Sequence, residues 1–330
     1  MSAGQATQAA PWREQIELAA QRLAGPEGRG YVRQTPLWKL PGTALGIDTP
    51  GVQVWLKLEQ LQASGSFKAR GMMNRLLAHA DAAARSGVIV ASGGNAGIAT
   101  AGAARALGVP CEVYLPEVSS PAKRARLAAL GAKVVVTGAA YADALAACLA
   151  RQNETAALLT HAYDQPEVVA GAGTLGREIE GQGGLPDSVL VSVGGGGLVG
   201  GLAAWFTSRA RVVALEPELA PTLLQARAAG RPVDVEVSGV AADSLGARRI
   251  GALAWTLTQD HVRDALVLPD AAIRAAQLWL WQELKLAVEP AAALPLAALQ
   301  TRRYRPVAGE QVCLVICGAN VDPATLNDDD

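Results

Sequence analysis

Ser64-Gly65-Ser66-Phe67-Lys68-Ala69-Arg70-Gly71 is the stretch from which the rest of the chain can be read. Lys68 follows a small, hydroxyl-rich and conformationally open approach (Ser64, Gly65, Ser66) and stands beside Phe67, one of only 2 phenylalanines, whose ring is suited to pack beside a flat molecule. A lysine amine condenses with an aldehyde to form a Schiff base. Most lysines are merely solvated, so the octapeptide gains its meaning from two separate glycine-rich turns further along. These are Ser92-Gly93-Gly94-Asn95-Ala96-Gly97 and Gly194-Gly195-Gly196-Gly197.

Short β-rich runs alternate with longer helical ones. Strands are predicted at 52–58, 88–91, 112–115, 133–136, 189–193, 212–215 and 312–317. Helices are predicted at 68–79, 96–107, 122–130, 141–153, 198–208 and 273–287. Such alternation implies an α/β fold of parallel twisted sheets flanked by helices. The runs between 88 and 136 form a compact set. We therefore expect a small inserted α/β domain at 87–164 inside a large domain made of 1–86 and 165–330. Trp279 and Trp281, on the predicted helix 273–287, are expected to pack in the core or at a subunit interface.

Composition bounds the function classes. The chain has 330 residues, 50% hydrophobic and 18% charged, with a formal net charge of -1. It has no basic stripe to meet nucleic acid, and the run Asp328-Asp329-Asp330 reads as a solvated tail. The stretch Met1-Ser2-Ala3-Gly4-Gln5 lacks the pattern of a signal peptide, and the apolar stretches are too short or interrupted to span a membrane. Cys111, Cys148, Cys313 and Cys317 lie in apolar runs, which fits a reduced, cytoplasmic protein better than a disulfide framework. His79, His161 and His261 lie far apart and form no zinc pattern.

In α/β sheets, ligands bind at the carboxyl ends of strands. Three unusual turns fall there: Ser92-Gly93-Gly94-Asn95, the four glycines from Gly194, and Cys317-Gly318-Ala319-Asn320. Without Cβ atoms, successive N–H groups can converge on an oxyanion, and the following helix adds its positive end. A tight turn alone would also use glycine. An aldehyde for the lysine and a phosphate for the glycines occur together in one common cofactor, pyridoxal phosphate. Asn95 then offers an amide to an aromatic hydroxyl, and Ser92 with the Gly93 and Gly94 N–H groups offers a carboxylate seat. Cys317, at a strand end, faces either the core or a ring nitrogen; a neutral thiol makes a mild electron sink, suited to elimination from Cβ. A rival reading exists. Gly195-Gly196-Gly197-Leu198-Val199-Gly200 matches G-x-G-x-x-G, and Glu216 follows about twenty residues on, as in a nicotinamide-dependent dehydrogenase. That reading leaves Lys68 and the Ser92 turn unused.

Together these residues resemble the fold type II pyridoxal-phosphate enzymes, the serine/threonine dehydratase group with its serine racemase relatives. The resemblance runs from Thr35-Pro36-Leu37 through Gly171-Ala172-Gly173-Thr174 and Lys285-Leu286-Ala287-Val288-Glu289-Pro290-Ala291 to Asn320. It implies the two-domain, tryptophan synthase β-like fold and β-elimination of L-threonine or L-serine. It further implies that Lys68 is the Schiff-base lysine and the base at Cα, that Phe67 and Asn95 contact the ring, and that Gly194, Gly195, Gly196, Gly197 and Leu198 cradle the phosphate. The resemblance also implies that Cys317 faces the ring nitrogen and that Ser64, Ser92, Gly93 and Asn95 surround the substrate carboxylate. Racemases of the group carry a serine where this chain has Gly93, which has no proton to exchange. Some relatives hold a cation with a glutamate before proline and an aspartate six residues later; Glu216 matches the first and Thr222 stands at the second. Phenylserine dehydration, 3-hydroxyaspartate dehydration and racemisation are the alternative reactions. A homodimer is expected, and isoleucine feedback through an added regulatory domain is not.

Overall fold

The computed structural model describes residues 11–326, so the predicted tail at 328–330 and the amino-terminal stretch 1–5 lie outside the described residues. The chain opens with α1 (Trp12–Ala24) and the single turn α2 (Pro26–Arg29). An antiparallel pair follows, β1 (Leu37–Pro41) and β2 (Gln53–Lys57). Then come α3 (Lys68–Ala78), α4 (Ala80–Ser86), β3 (Val88–Ala91), α5 (Asn95–Leu107), β4 (Cys111–Leu115) and α6 (Pro121–Ala129). β5 (Lys133–Val136), α7 (Tyr141–Thr155), the short β6 (Leu158–Leu159) and α8 (Pro166–Gly183) continue the alternation. β7 (Ser188–Ser192), α9 (Gly197–Phe206), β8 (Arg211–Pro217) and α10 (Thr222–Ala229) lead to an irregular stretch, 231–251. The chain closes with α11 (Ala252–His261), β9 (Asp264–Leu268), α12 (Asp270–Leu284), α13 (Pro290–Gln300) and β10 (Gln311–Val315).

The strands make two sheets. One has six strands in the order β1-β2-β10-β7-β8-β9, and the other has four in the order β5-β4-β3-β6. Every pairing is parallel except β1 with β2. Helices cover the sheets, so the central strand β7 is buried along its whole length, as a parallel strand packed on both faces must be. The four-stranded sheet draws all its strands from 88–159, whereas the six-stranded sheet takes strands from both sides of that interval. The smaller sheet and its helices are called the small unit below, and the rest the large unit.

Helix packing fixes where Lys68 sits. α8 carries Gly171, Gly173 and Gly176, poor helix formers, inside an 18-residue helix. Tertiary contact overrides that propensity: a Cβ on Gly171 would lie 2.6 Å from the Gly71 Cα, and one on Gly201 would lie 2.6 Å from the Gly173 nitrogen. The backbones of α3, α8 and α9 thus touch directly. The first turn of α3 is also tied down by buried charge. Arg70 donates to both oxygens of Glu59 (2.7 and 2.8 Å) and to Glu178 at 2.9 Å, and Glu178 accepts from the fully buried Lys57 at 2.6 Å. Removing one member would strand an uncompensated charge, a loss of about 3–5 kcal/mol.

One helix boundary is adjusted. The helix predicted at 273–287 runs instead over Asp270–Leu284 and ends where Lys285 turns left-handed at φ 57. On it, Trp279 packs against the core while Trp281 stays 38% exposed. α13, apolar all round and containing Pro295, is a core helix with no amphipathic signal to betray it. Among the described residues no helix is long and apolar enough to cross a membrane.

Candidate active site

The ends of β3, β7 and β10 and the start of α3 open onto one cavity of about 730 Å³. β10 lies beside β7 in parallel register, with Val312 opposite Ser188, so Cys317 and the tetraglycine turn emerge at the same edge of the large sheet. The Ser92-Gly93-Gly94-Asn95 turn reaches the cavity from the small unit. Of the residues singled out in sequence, the cavity wall includes Phe67, Lys68, Ser92, Gly93, Asn95, Gly194, Gly195, Gly196, Gly197, Leu198 and Cys317.

Lys68 is the first residue of α3. Its Nζ donates to the Ala162 carbonyl at 2.7 Å and lies 4.9 Å from the centre of the Phe67 ring. Burial outweighs the attraction of nearby negative charge and brings the ammonium down to about 8. The neutral amine, which is both nucleophile and base, is therefore far more available near neutral pH than on a surface lysine.

The glycine turn is a cradle that side chains would fill. Gly196 has φ +88, and a Cβ there would lie 2.5 Å from the Ala254 Cβ. On Gly195 a Cβ would lie 2.2 Å from the Tyr163 ring, and on Gly197 it would lie 3.0 Å from Tyr163. α9 begins at Gly197 and is buried and apolar along its length. The N–H groups of its first turn have no intrahelical acceptors and point toward the cavity end of the helix dipole.

Asn95 opens α5, and its Nδ2 donates to both carboxylate oxygens of Glu289, each at 2.9 Å. Ser92 Oγ accepts the Gly94 N–H at 3.4 Å. Burial, reinforced by Glu289, holds the Cys317 thiol well above its ordinary range, so it is a neutral S–H at physiological pH. Burial likewise raises Glu289 to about 7, against the Asn95 hydrogen bond.

Two expected site residues lie elsewhere. Ser64 is buried behind the wall: its Oγ donates to the Ser66 carbonyl at 3.1 Å, and its own carbonyl accepts from Asn320 at 3.0 Å. It is engaged in shaping the turn rather than facing a substrate. Glu216 is fully buried, and its carboxylate accepts the N–H groups of Leu223 (2.6 Å) and Leu224 (2.9 Å) and the Thr222 hydroxyl at 3.2 Å. It caps α10, and Thr222, the departure from the cation pattern noted in the sequence, donates to it. Among the described residues no group of three or more His, Cys, Asp or Glu could hold a metal.

The cavity also contains residues to which the sequence reading gave no role: Glu289, Ala162, Tyr163, and Asp243 to Arg249 from the irregular stretch. Glu289 was visible only as part of a motif, because its partner Asn95 is 194 positions away. The irregular stretch carries no periodic signal at all.

An amine brought to about 8, a glycine cradle at a helix start, and a buried neutral thiol at one cavity together fit pyridoxal phosphate. The Lys68 amine is suited to its aldehyde and the glycine turn to its phosphate, and Asn95, Phe67 and Cys317 line the same cavity. A dinucleotide reading accounts for the glycine turn but not for Lys68, and Glu216, the residue it needs at the ribose, is turned into the α10 cap.

Known proteins agree with this fit. An L-threonine ammonia-lyase of Geobacter sulfurreducens is 36% identical over 282 residues, covering 84% of this chain and 69% of that protein. A phenylserine dehydratase of Ralstonia pickettii is 35% identical over 301 residues, 90% of each chain. The solved structure of maize serine racemase superposes with a TM-score of 0.86 at 29% identity, over 95% of both chains. The family model described as "Pyridoxal-phosphate dependent enzyme" matches residues 29–318. The chain belongs to that family, in its fold type II branch, and pyridoxal phosphate is its cofactor.

Proposed function

We propose that the chain is an L-serine/L-threonine ammonia-lyase, converting L-threonine to 2-oxobutanoate and ammonia, or L-serine to pyruvate and ammonia, by loss of water and its return on hydrolysis of the enamine. The observation that carries this reading is the combination, at one cavity, of a desolvated Lys68 amine with a neutral Cys317 thiol and a Gly93 that lacks any side-chain proton. A mild sink and a single base favour elimination over racemisation, which needs a second proton donor on the opposite face.

Bound in the cavity, pyridoxal phosphate supplies an aldehyde carbon for the substrate amine and a ring that accepts the electron pair left at Cα. The protein does the rest. Lys68 Nζ takes the Cα proton, in the neutral form that burial makes accessible. Ser92 and the N–H groups of Gly93 and Gly94 seat the substrate carboxylate at the start of α5, where the helix dipole favours an anion. The β-hydroxyl departs as water with the proton that Lys68 Nζ took from Cα, and the released enamine takes up one water to give the keto acid and ammonia. Water is kept out by approach of the small unit, across which Lys123 pairs with Asp243 at 2.7 Å and Asn95 with Glu289 at 2.9 Å. The four cysteines are all free and buried, in keeping with a reducing compartment, and we assign the working form as a homodimer.

A second reading has its own support. The cavity wall contributed by α7 presents Tyr141, Ala142 and Leu145, which would accommodate an aryl group at Cβ, and one relative is a phenylserine dehydratase. Keto-acid formation from L-threonine, L-serine, phenylserine and 3-hydroxyaspartate, measured side by side, tests the assignment. The highest kcat/KM is expected for L-threonine or L-serine, and a higher value for phenylserine would transfer the assignment to the aryl substrate.

A further inference from the structure

Glu289 is a carboxylate 5% exposed in the wall of the cavity, at the residue before α13. The fold makes room for it: a Cβ on Gly318 would lie 1.6 Å from its Oε1, and its backbone N–H donates to the Gly318 carbonyl at 3.0 Å. It belongs to the large unit, and Asn95 to the small one. The Asn95 amide is held at both ends. Nδ2 donates to the two Glu289 oxygens at 2.9 Å, while Oδ1 accepts from Asn320 Nδ2. Asn320 in turn accepts through Oδ1 from Arg126 of α6 at 2.6 Å.

An ionised carboxylate only accepts hydrogen bonds, whereas a neutral amide offers one accepting and one donating end. Glu289 therefore decides which end of the Asn95 amide faces it. A neutral group of the same shape would satisfy either orientation of the amide.

We propose that Glu289 is a positioning residue for Asn95, fixing the direction of its amide toward the cofactor and tying the start of α5 to the large unit. The proposal rests on the assigned role of Asn95 at the cofactor. It has a consequence for pH. Burial raises the Glu289 carboxyl to about 7, with Asp243 adding to the rise, and Lys68 and Arg126 opposing it alongside the Asn95 bond. Cys317, which also interacts with Glu289, stays neutral. Below that point Glu289 carries a proton, can donate as well as accept, and no longer selects one orientation.

The test is a double-mutant cycle on the full-length protein with E289Q, N95A and both. The readout is the dissociation constant of pyridoxal phosphate from resolved protein, followed by tryptophan fluorescence. Each single change is expected to weaken binding about tenfold, the loss of one hydrogen bond to a charged group, and the double variant no further than the weaker single. Wild-type affinity should fall between pH 7.5 and 6, a range set about the shifted carboxyl, and N95A should lack that step. The step serves as the measurement should E289Q not fold. Normal affinity in E289Q with a weakened N95A would overturn the Glu289 assignment alone. Normal affinity in N95A would overturn the role of Asn95 and this inference with it. Multiplicative effects in the double variant would show that Glu289 acts independently of Asn95 and would also overturn it.

Discussion

The backbone N–H of Phe67 donates to the carbonyl oxygen of Cys317 at 3.0 Å, next to the isolated bridge between Ser66 and Gly318. The lysine turn and the end of β10 are thereby one rigid piece, although the two lie at opposite ends of the chain. If Cys317 faces the ring nitrogen as proposed, position 317 is the place to adjust the ring's electron demand without disturbing Lys68. C317S keeps a small neutral group and should hold kcat for L-threonine within about tenfold, or about 1.4 kcal/mol of barrier. C317D places a carboxylate where burial resists charge and should cost about a hundredfold or more. Steady-state keto-acid assays on both variants check this.

Gly196 adopts φ +88, and its missing Cβ leaves 2.5 Å to the Ala254 Cβ. G196A is expected to weaken pyridoxal phosphate binding at least about tenfold, because side-chain strain of about 1–2 kcal/mol adds to the clash. Gly230 has φ +67 with nothing within 4 Å and lies away from the cavity. G230A should lower Tm while leaving cofactor affinity unchanged, so equilibrium dialysis of the two variants separates the cradle from backbone strain in general.

How much of this was legible in the sequence differs by residue. The β/α alternation gave the parallel sheets because each unit is local, and Lys68, the Ser92 turn, the glycine turn and Cys317 stood out because each sits at a strand end or helix start. α8 escaped because its glycines argue against a helix until α3 and α9 are packed on it. For Ser64 and Glu216 the difficulty was the opposite one. Their motifs were recognisable, but whether a hydroxyl or carboxylate faces a ligand or its own backbone is decided by neighbours: Ser66 for one, and Leu223 and Leu224 for the other. Glu289 gained its meaning only from Asn95, across the two units.

The shifted groups give the cofactor-free protein a characteristic stability profile. Lys68 falls from 10.5 to about 8, so between those values the unfolded chain binds the extra proton and stability rises with pH. Glu289 rises from 4.5 to about 7, so between those values the folded chain binds the extra proton and stability falls with pH. Glu216 is raised to about 7 by burial and acts in the same direction. Each is limited to on the order of 3 kcal/mol. Tm of the resolved protein should therefore pass through a minimum between about pH 7 and 8. K68M should abolish the alkaline rise, and E289Q should reduce the fall on the acid side.

Glu216 spends both carboxylate oxygens on the Leu223 and Leu224 N–H groups. E216A should lose about 1–3 kcal/mol of stability by leaving buried donors unmet. Chelation with EDTA should leave wild-type Tm unchanged, which thermal melts with and without the chelator would show.

The central claim is that Lys68 forms the covalent link to pyridoxal phosphate. Borohydride reduction of the purified protein, followed by peptide mass mapping, tests it most directly. A stable phosphopyridoxyl label is expected on the peptide containing Lys68, and no label in K68A protein, which should also fail to make keto acid. A label on another lysine, or undiminished keto-acid production by K68A, would contradict it.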